Sequence, residues 1–201
     1  MIEFLDHIDH TFFLFLNGLH NPFFDGVMFW ITKGLLWFPL SLFFLFFVVR
    51  KYKWNALLIV VFAAFMILVS DQLSNLVKDT VQRLRPSNQP GLMVHIVEAY
   101  KGGTYGFYSA HATNSFSVAV FLTILLGRRF WYVILAAFLW SLVMSYTRIY
   151  LGVHYPVDIF AGWIAGGTIG FLFGKGVVKL IKVFNHEGAQ SISQRRAKEP
   201  D

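Results

Sequence analysis

From Leu57 to Val69 the chain carries no polar residue. Continued to about Lys78, that run is long enough to cross a bilayer as a helix, which takes about 20 residues. Comparable stretches run from about Phe24 to Val49, Ala110 to Gly127, Trp131 to Tyr150 and Val157 to Phe184. In lipid, each segment must satisfy its own backbone hydrogen bonds, so the spans are expected to be helical. The expected fold is an all-α, polytopic transmembrane helix bundle of about five to six helices. Composition agrees. Of 201 residues, 56% are hydrophobic and 14% charged, against about 25% charged in a soluble domain. A chain this short lacks the interior to hide so much apolar surface from water. Cys is 0, which removes thiol nucleophiles and Cys-ligated metals from consideration.

The whole chain, residues 1–201, is expected to form one membrane domain. Its first part, from Ile2 to about Gly18, alternates Leu5, Phe12, Phe13, Leu16 and Leu19 with Asp6, Asp9 and His10. That pattern predicts an amphipathic helix lying in the membrane interface within residues 1–20, ended by Asn21-Pro22. The start holds Glu3, Asp6 and Asp9 without Lys or Arg, unlike a secretory signal peptide. Within the first span Lys33-Gly34 and Pro39 are expected interruptions. The second span turns polar at Ser70, Asp71, Gln72, Ser74 and Asn75. Asp71 and Asn75 read as buried packing groups. Pro and Gly residues predict a loop over 79–107. Gly162, Gly166, Gly170 and Gly174 recur every four residues, a spacing that lets a neighbouring helix approach closely. Residues 185–201 read as a polar, mobile cytoplasmic tail.

Cations in short loops set orientation. Arg50, Lys51 and Lys53 follow the first span, Arg128 and Arg129 the third, and Lys179, Lys182, Arg195, Arg196 and Lys198 lie at or beyond the end of the fifth. Five spans place these groups on one side, the expected cytoplasm. The opposite side nevertheless holds Lys78, Arg83, Arg85, Lys101 and Arg148. Charges there need a partner or a task.

Three clusters carry them: Lys78 to Pro86, Tyr108 to His111 and Thr147 to Asp158. Each falls at a helix end on the same membrane face, so they are expected to converge on one pocket. Lys78, Arg85 and Arg148 can surround phosphate oxygens. Ser109 offers a hydroxyl at a helix start, where backbone N–H groups also face an anion. Asp158, four residues after His154, can hold one ring nitrogen and leave the other to attack phosphorus. His111 is then available to protonate the leaving oxygen. Arg83 and Lys101 read as lipid-headgroup anchors. His7, His10, His20, His95 and His186 have no partner spacing and read as surface residues. Glu98, Tyr105 and Phe107 are candidates for lining headgroup access.

These segments resemble the signature of the type 2 phosphatidic acid phosphatase (PAP2) superfamily: K-x6-R-P, P-S-G-H and S-R-x5-H-x3-D. Lys78, Arg85 and Pro86 match the first, Ser109 and His111 the second, and Arg148, His154 and Asp158 the third. Tyr108, Ala110 and Thr147 depart from the pattern, and Ala110 affects how closely the backbone reaches a phosphate. The resemblance implies a six-helix catalytic core and a mechanism without metal or cofactor. In it His154 is the nucleophile, Asp158 orients it, and His111 is the general acid. Lys78, Arg85, Ser109, Ala110 and Arg148 bind phosphate. The expected substrate is a lipid phosphate or diphosphate, with undecaprenyl diphosphate placed first. The alternatives are a lipid A phosphatase, a phosphatidylglycerophosphate or phosphatidate phosphatase, and a lipid phosphotransferase. The expected location is a bacterial inner membrane with the site facing the periplasm or exterior. The expected partners are membrane lipids, with no nucleic acid.

Overall fold

The computed structural model describes residues 2–34 and 36–196. Among the described residues run seven α-helices: α1 (Ile2–Asn17), α2 (Pro22–Thr32), α3 (Trp37–Tyr52), α4 (Ala56–Val81), α5 (Ala110–Leu126), α6 (Trp131–Tyr150) and α7 (Pro156–Arg196). The only β pairing among those residues is an isolated bridge between Leu84 and Tyr105. The stretches Trp37–Val81, Arg128–Tyr150 and Pro156–His186 are long and apolar enough to cross a membrane, and Ala110–Leu126 is a shorter apolar helix. The protein is a multi-pass membrane bundle whose outer face exposes Leu57, Phe160, Ile164 and Leu172 to lipid.

Trp37–Val81 folds back on itself at Lys53–Asn55. Lys51 Nζ and the Tyr52 hydroxyl donate to the Leu125 carbonyl at the far end of α5, at 2.6 and 2.8 Å. Ser74, near the other end of α4, reaches the Tyr108 carbonyl just before α5 begins. So α4 runs antiparallel to α5 and returns the chain to the face where the motifs lie.

The expected first span is two helices. Gly34, at φ +81°, sits between α2 and α3, in backbone space that favours glycine. Pro39 does not interrupt; it lies in the first turn of α3, where its missing N–H costs no helical bond. Nor does a separate tail begin at Asn185. α7 continues to Arg196 because the segment holds helix formers and no proline. Residues 197–201, including Lys198, lie outside the described residues.

α5 is the central helix, with Ala119 and Leu125 fully buried. The glycine stripe of α7 packs against it. A Cβ at Gly162 would stand 2.9 Å from the Ser109 carbonyl, one at Gly174 2.9 Å from Ile124 Cβ, and those at Gly166 and Gly170 would run into the backbone of Thr113 and Ser117. This close approach lets Ser109 N–H donate to the Asp158 carbonyl at 3.1 Å, joining the second motif to the third. Helix α1 buries Asp9, Phe13 and Asn17 on one side and exposes Phe4, Ile8, Phe12 and Phe15 on the other. The Val157 N–H, at the start of α7, donates to Asp9 Oδ1 at 2.9 Å.

Candidate active site

All three motifs meet at one end of the bundle. The turn between α6 and α7 carries His154, 1% exposed, and α7 begins two residues later with Asp158 in its first turn. His154 Nδ1 lies 3.4 Å from Asp158 Oδ2, and that oxygen also accepts the Tyr155 N–H at 3.0 Å. With Nδ1 facing the carboxylate, Nε2 is the nitrogen left for chemistry. Burial lowers the His154 pKa well below the usual imidazole range, and the charges of Arg85, Arg148 and Lys78 push it the same way. The ring is therefore neutral, with a lone pair to donate.

Arg148 is 2% exposed. Its Nη1 donates to Thr32 Oγ1 of α2 and its Nη2 to the Tyr100 hydroxyl at 3.2 Å. Arg148 Nε is buried without a partner, and so is Arg85 Nη1. Two orphan guanidinium donors beside a buried neutral histidine are costly unless an anion meets them. Burial lowers the Arg85 pKa, and the nearby charge of Arg148 lowers it further. Arg85 is held by its Nε bond to the Tyr105 carbonyl at 3.1 Å. Lys78 stands in the last turn of α4, within electrostatic reach of both arginines.

Ser109 is fully buried and caps α5, its Oγ accepting the Ala112 N–H at 3.4 Å. The next residues, Ala110 and His111, form the first turn of α5. The unpaired N–H groups there favour an anion. His111 lies within reach of the charges of Arg148, His154, Lys78 and Arg85. Thr147, at the place of the family's Ser, donates its hydroxyl to the Met144 carbonyl at 2.7 Å.

Arg83 is not a headgroup anchor. Its Nη1 donates to Asp158 Oδ1 at 2.9 Å and its Nη2 to Asp9 Oδ2 at 2.7 Å and Asp6 Oδ1 at 3.1 Å. Its guanidinium lies 4.2 Å from the Tyr155 ring centre, and His10 stacks on that ring. Acidic spacing in α1 was the available signal: Asp6 and Asp9 lie one turn apart, facing cations expected on the same side. Asp71 accepts from Asn114 Nδ2 at 2.7 Å, as a packing group would, whereas Asn75 is exposed. Phe107 lines a groove with Arg83, Asp9 and Val157, while Glu98 is exposed away from any described partner.

Two glycines also shape the site. A Cβ on Gly106 would sit 3.2 Å from Asp158 Oδ2 and 3.6 Å from His154 Nδ1. At Gly102, φ +66°, a Cβ would stand 2.5 Å from Arg85 Nη1. Gly102→Ala is expected to leave the chain folded, because the obstructed atom ends a flexible side chain. It should lower kcat/KM about tenfold in steady-state assays through loss of one charge-assisted bond.

A cavity of about 640 Å³ opens from this end. It runs from Ala110, His111 and Asp71 down to Phe44, Phe121 and Leu122. Between Ala110 and Leu122 a helix rises about 18 Å, so a long apolar chain fits beside α5.

The model of the PAP2 superfamily matches residues 56–182, a span that holds every residue of the three motifs. The chain belongs to the PAP2 superfamily. Like its family, it is a metal-independent lipid phosphatase. It is 43% identical over 178 residues to a lipid A 4′-phosphatase of Bacteroides thetaiotaomicron, covering 86% of this chain and 78% of that one. A lipid A 4′-phosphatase of Porphyromonas gingivalis is 35% identical, covering 84% and 72%. An undecaprenyl-diphosphatase of Sulfolobus acidocaldarius is 31% identical, covering 74% and 68%. In fold, the chain resembles a PAP2-type phosphatidylglycerolphosphate phosphatase from Bacillus subtilis, with TM-score 0.64 and 22% identity over 88% of this chain and 87% of that one. It also resembles Aquifex aeolicus LpxE, with TM-score 0.63 and 24% identity over 82% and 93%.

Proposed function

We propose that this PAP2 phosphatase removes a phosphate from lipid A, at the membrane face opposite the cytoplasm of a bacterial inner membrane. The observation that carries this reading is the 43% identity to a lipid A 4′-phosphatase across 86% of the chain, all three motifs included. It reverses the order expected from sequence, which put undecaprenyl diphosphate first. That lipid remains the second reading, favoured by the relative at 31% identity. The cavity beside α5 supports a substrate whose tail enters laterally while its phosphate meets His154. With Phe4, Phe12 and Phe15 exposed, α1 suits the interface position its pattern predicts.

The reaction assigned to the site has two displacements. His154 Nε2 attacks phosphorus and the bond to the lipid oxygen breaks, while His111, entering the step as imidazolium, gives that oxygen its proton and is left neutral. Water then attacks the phosphohistidine. His111 takes the water's proton, and phosphate leaves with His154 restored. Arg85, Arg148, Lys78, the Ser109 hydroxyl and the Ala110 turn hold the non-bridging oxygens and stabilise the charge that spreads over them. Asp158 keeps Nε2 aimed.

The test offers purified enzyme lipid A and undecaprenyl diphosphate at equal concentration in mixed micelles, with products read by mass spectrometry. The expected result is loss of one phosphate from lipid A with the higher kcat/KM. Faster turnover of the diphosphate would replace this reading with the second. Phosphate appearing on another lipid rather than in water would make the enzyme a transferase.

A further inference from the structure

We propose that His20, Asp25 and His95 form a binding site for a divalent transition metal ion, separate from the phosphate pocket and without a part in the phosphoryl chemistry. One ligand atom from each of the three lies within 4.8 Å of the other two. Sequence alone reads His20 and His95 as unrelated surface residues, 75 positions apart in sequence. The fold brings them together, their rings parallel with centres 3.6 Å apart. His95 Nε2 lies 2.9 Å from Asp25 Oδ1. Two imidazoles and one carboxylate are the donor set that suits zinc and its neighbours rather than Mg²⁺ or Ca²⁺, which prefer oxygen shells.

Two of the three ligands are already held by buried groups behind them. The Tyr150 hydroxyl, on a residue 1% exposed, donates to Asp25 Oδ1 at 2.6 Å. Asn17, 2% exposed, fixes the His95 backbone, accepting its main-chain N–H at 2.8 Å and donating to its carbonyl at 3.2 Å. The Tyr150 bond orients the Asp25 carboxylate as an outer partner orients a metal ligand, and the Asn17 bonds fix the main chain from which the His95 ring projects. His20 is exposed and stacks on His95, so turning its ring off that stack aims its lone pair at the shared ion and closes the site. A fourth position stays open to water, as with three protein ligands on zinc.

The placement gives such an ion a consequence. His20 lies between α1 and α2, Asp25 in α2, and His95 in the long loop whose Tyr100 accepts from Arg148. Thr32 of α2 accepts from the same arginine. An ion here would cross-link the two elements that clamp Arg148.

The test uses tag-free full-length protein in detergent, free of chelator, titrated with Zn²⁺ alone by calorimetry. The expected result is one saturable site per chain, a rise in Tm with Zn²⁺ and none with Mg²⁺. His20→Ala removes an exposed ring whose one stacking partner is His95, so it should change the metal-free Tm little while weakening Zn²⁺ at least about tenfold. His95→Ala should do the same for affinity. Zn²⁺ binding that is unchanged in His20→Ala, or that never saturates near one per chain, would overturn the proposal. Neither readout involves lipid hydrolysis, so the substrate assignment stands or falls separately.

Discussion

His154→Asn is expected to stop phosphate release by more than about 10³-fold, because it removes the group proposed to take the phosphoryl. The loss should be the same for a natural lipid phosphate and for an aryl phosphate. His111→Ala should behave differently. A general acid is worth about 10²–10⁴-fold where the leaving oxygen needs a proton. An aryl oxide of low basicity leaves without one. His111→Ala should therefore lose activity steeply on lipid phosphate and far less on p-nitrophenyl phosphate. Rapid quench with ³²P-labelled substrate should trap acid-labile phosphoenzyme in the wild type and none in His154→Asn. Equal loss on both substrates in His111→Ala would remove His111 from the acid role. Labelled phosphoenzyme in His154→Asn would move the nucleophile elsewhere.

Much of this was legible in sequence, for a physical reason. Helices in lipid must bond internally, so apolar runs mark them directly; α4, α5 and α6 begin and end within about three residues of their expected limits. The glycine spacing of α7 likewise predicted a close helix contact, and its partner proved to be α5. What escaped depends on contacts between distant segments. A four-residue spacing exposes the His154–Asp158 pair, but nothing local ties Arg83 to Asp158, 75 positions away. His20 and His95 show no spacing for the same reason. Gly34 and Pro39 looked equally disruptive. Only the backbone separates them, one at φ +81° between helices and the other in a first turn that tolerates proline. The substrate was least legible, since the motifs describe groups suited to a phosphate and not the lipid that carries it.

Arg83 yields the second large effect. It bridges Asp158, fully buried, and Asp9, 4% exposed. Arg83→Gln leaves two buried carboxylates without their cation. Breaking a buried ion pair from one side costs about 3–5 kcal/mol, and the low end applies because the Arg83 side chain keeps 22% exposure. A lower Tm in detergent should report it. The catalytic effect is distinct. Asp158 then loses the bond that fixes Oδ1 while Oδ2 holds His154, and a misplacement near 1 Å costs about 10²-fold. Arg83 touches carboxylates rather than the phosphate-facing donors, so the loss should fall on kcat with KM nearly unchanged. Arg85→Gln should instead raise KM as well as lower kcat, because that guanidinium faces the phosphate in both ground and transition states. Arg83→Lys keeps the charge but lacks the fork that spans two carboxylates, so it should recover part of the Tm and little of kcat. Asp9→Asn leaves the Arg83–Asp158 bond in place and should lower Tm with kcat near wild type. If Arg83→Gln kept wild-type kcat at a temperature where it is folded, Arg83 would only fasten α1 to the bundle. If Asp9→Asn lost kcat as Arg83→Gln does, the orientation of His154 would depend on the whole chain of contacts from α1 inward.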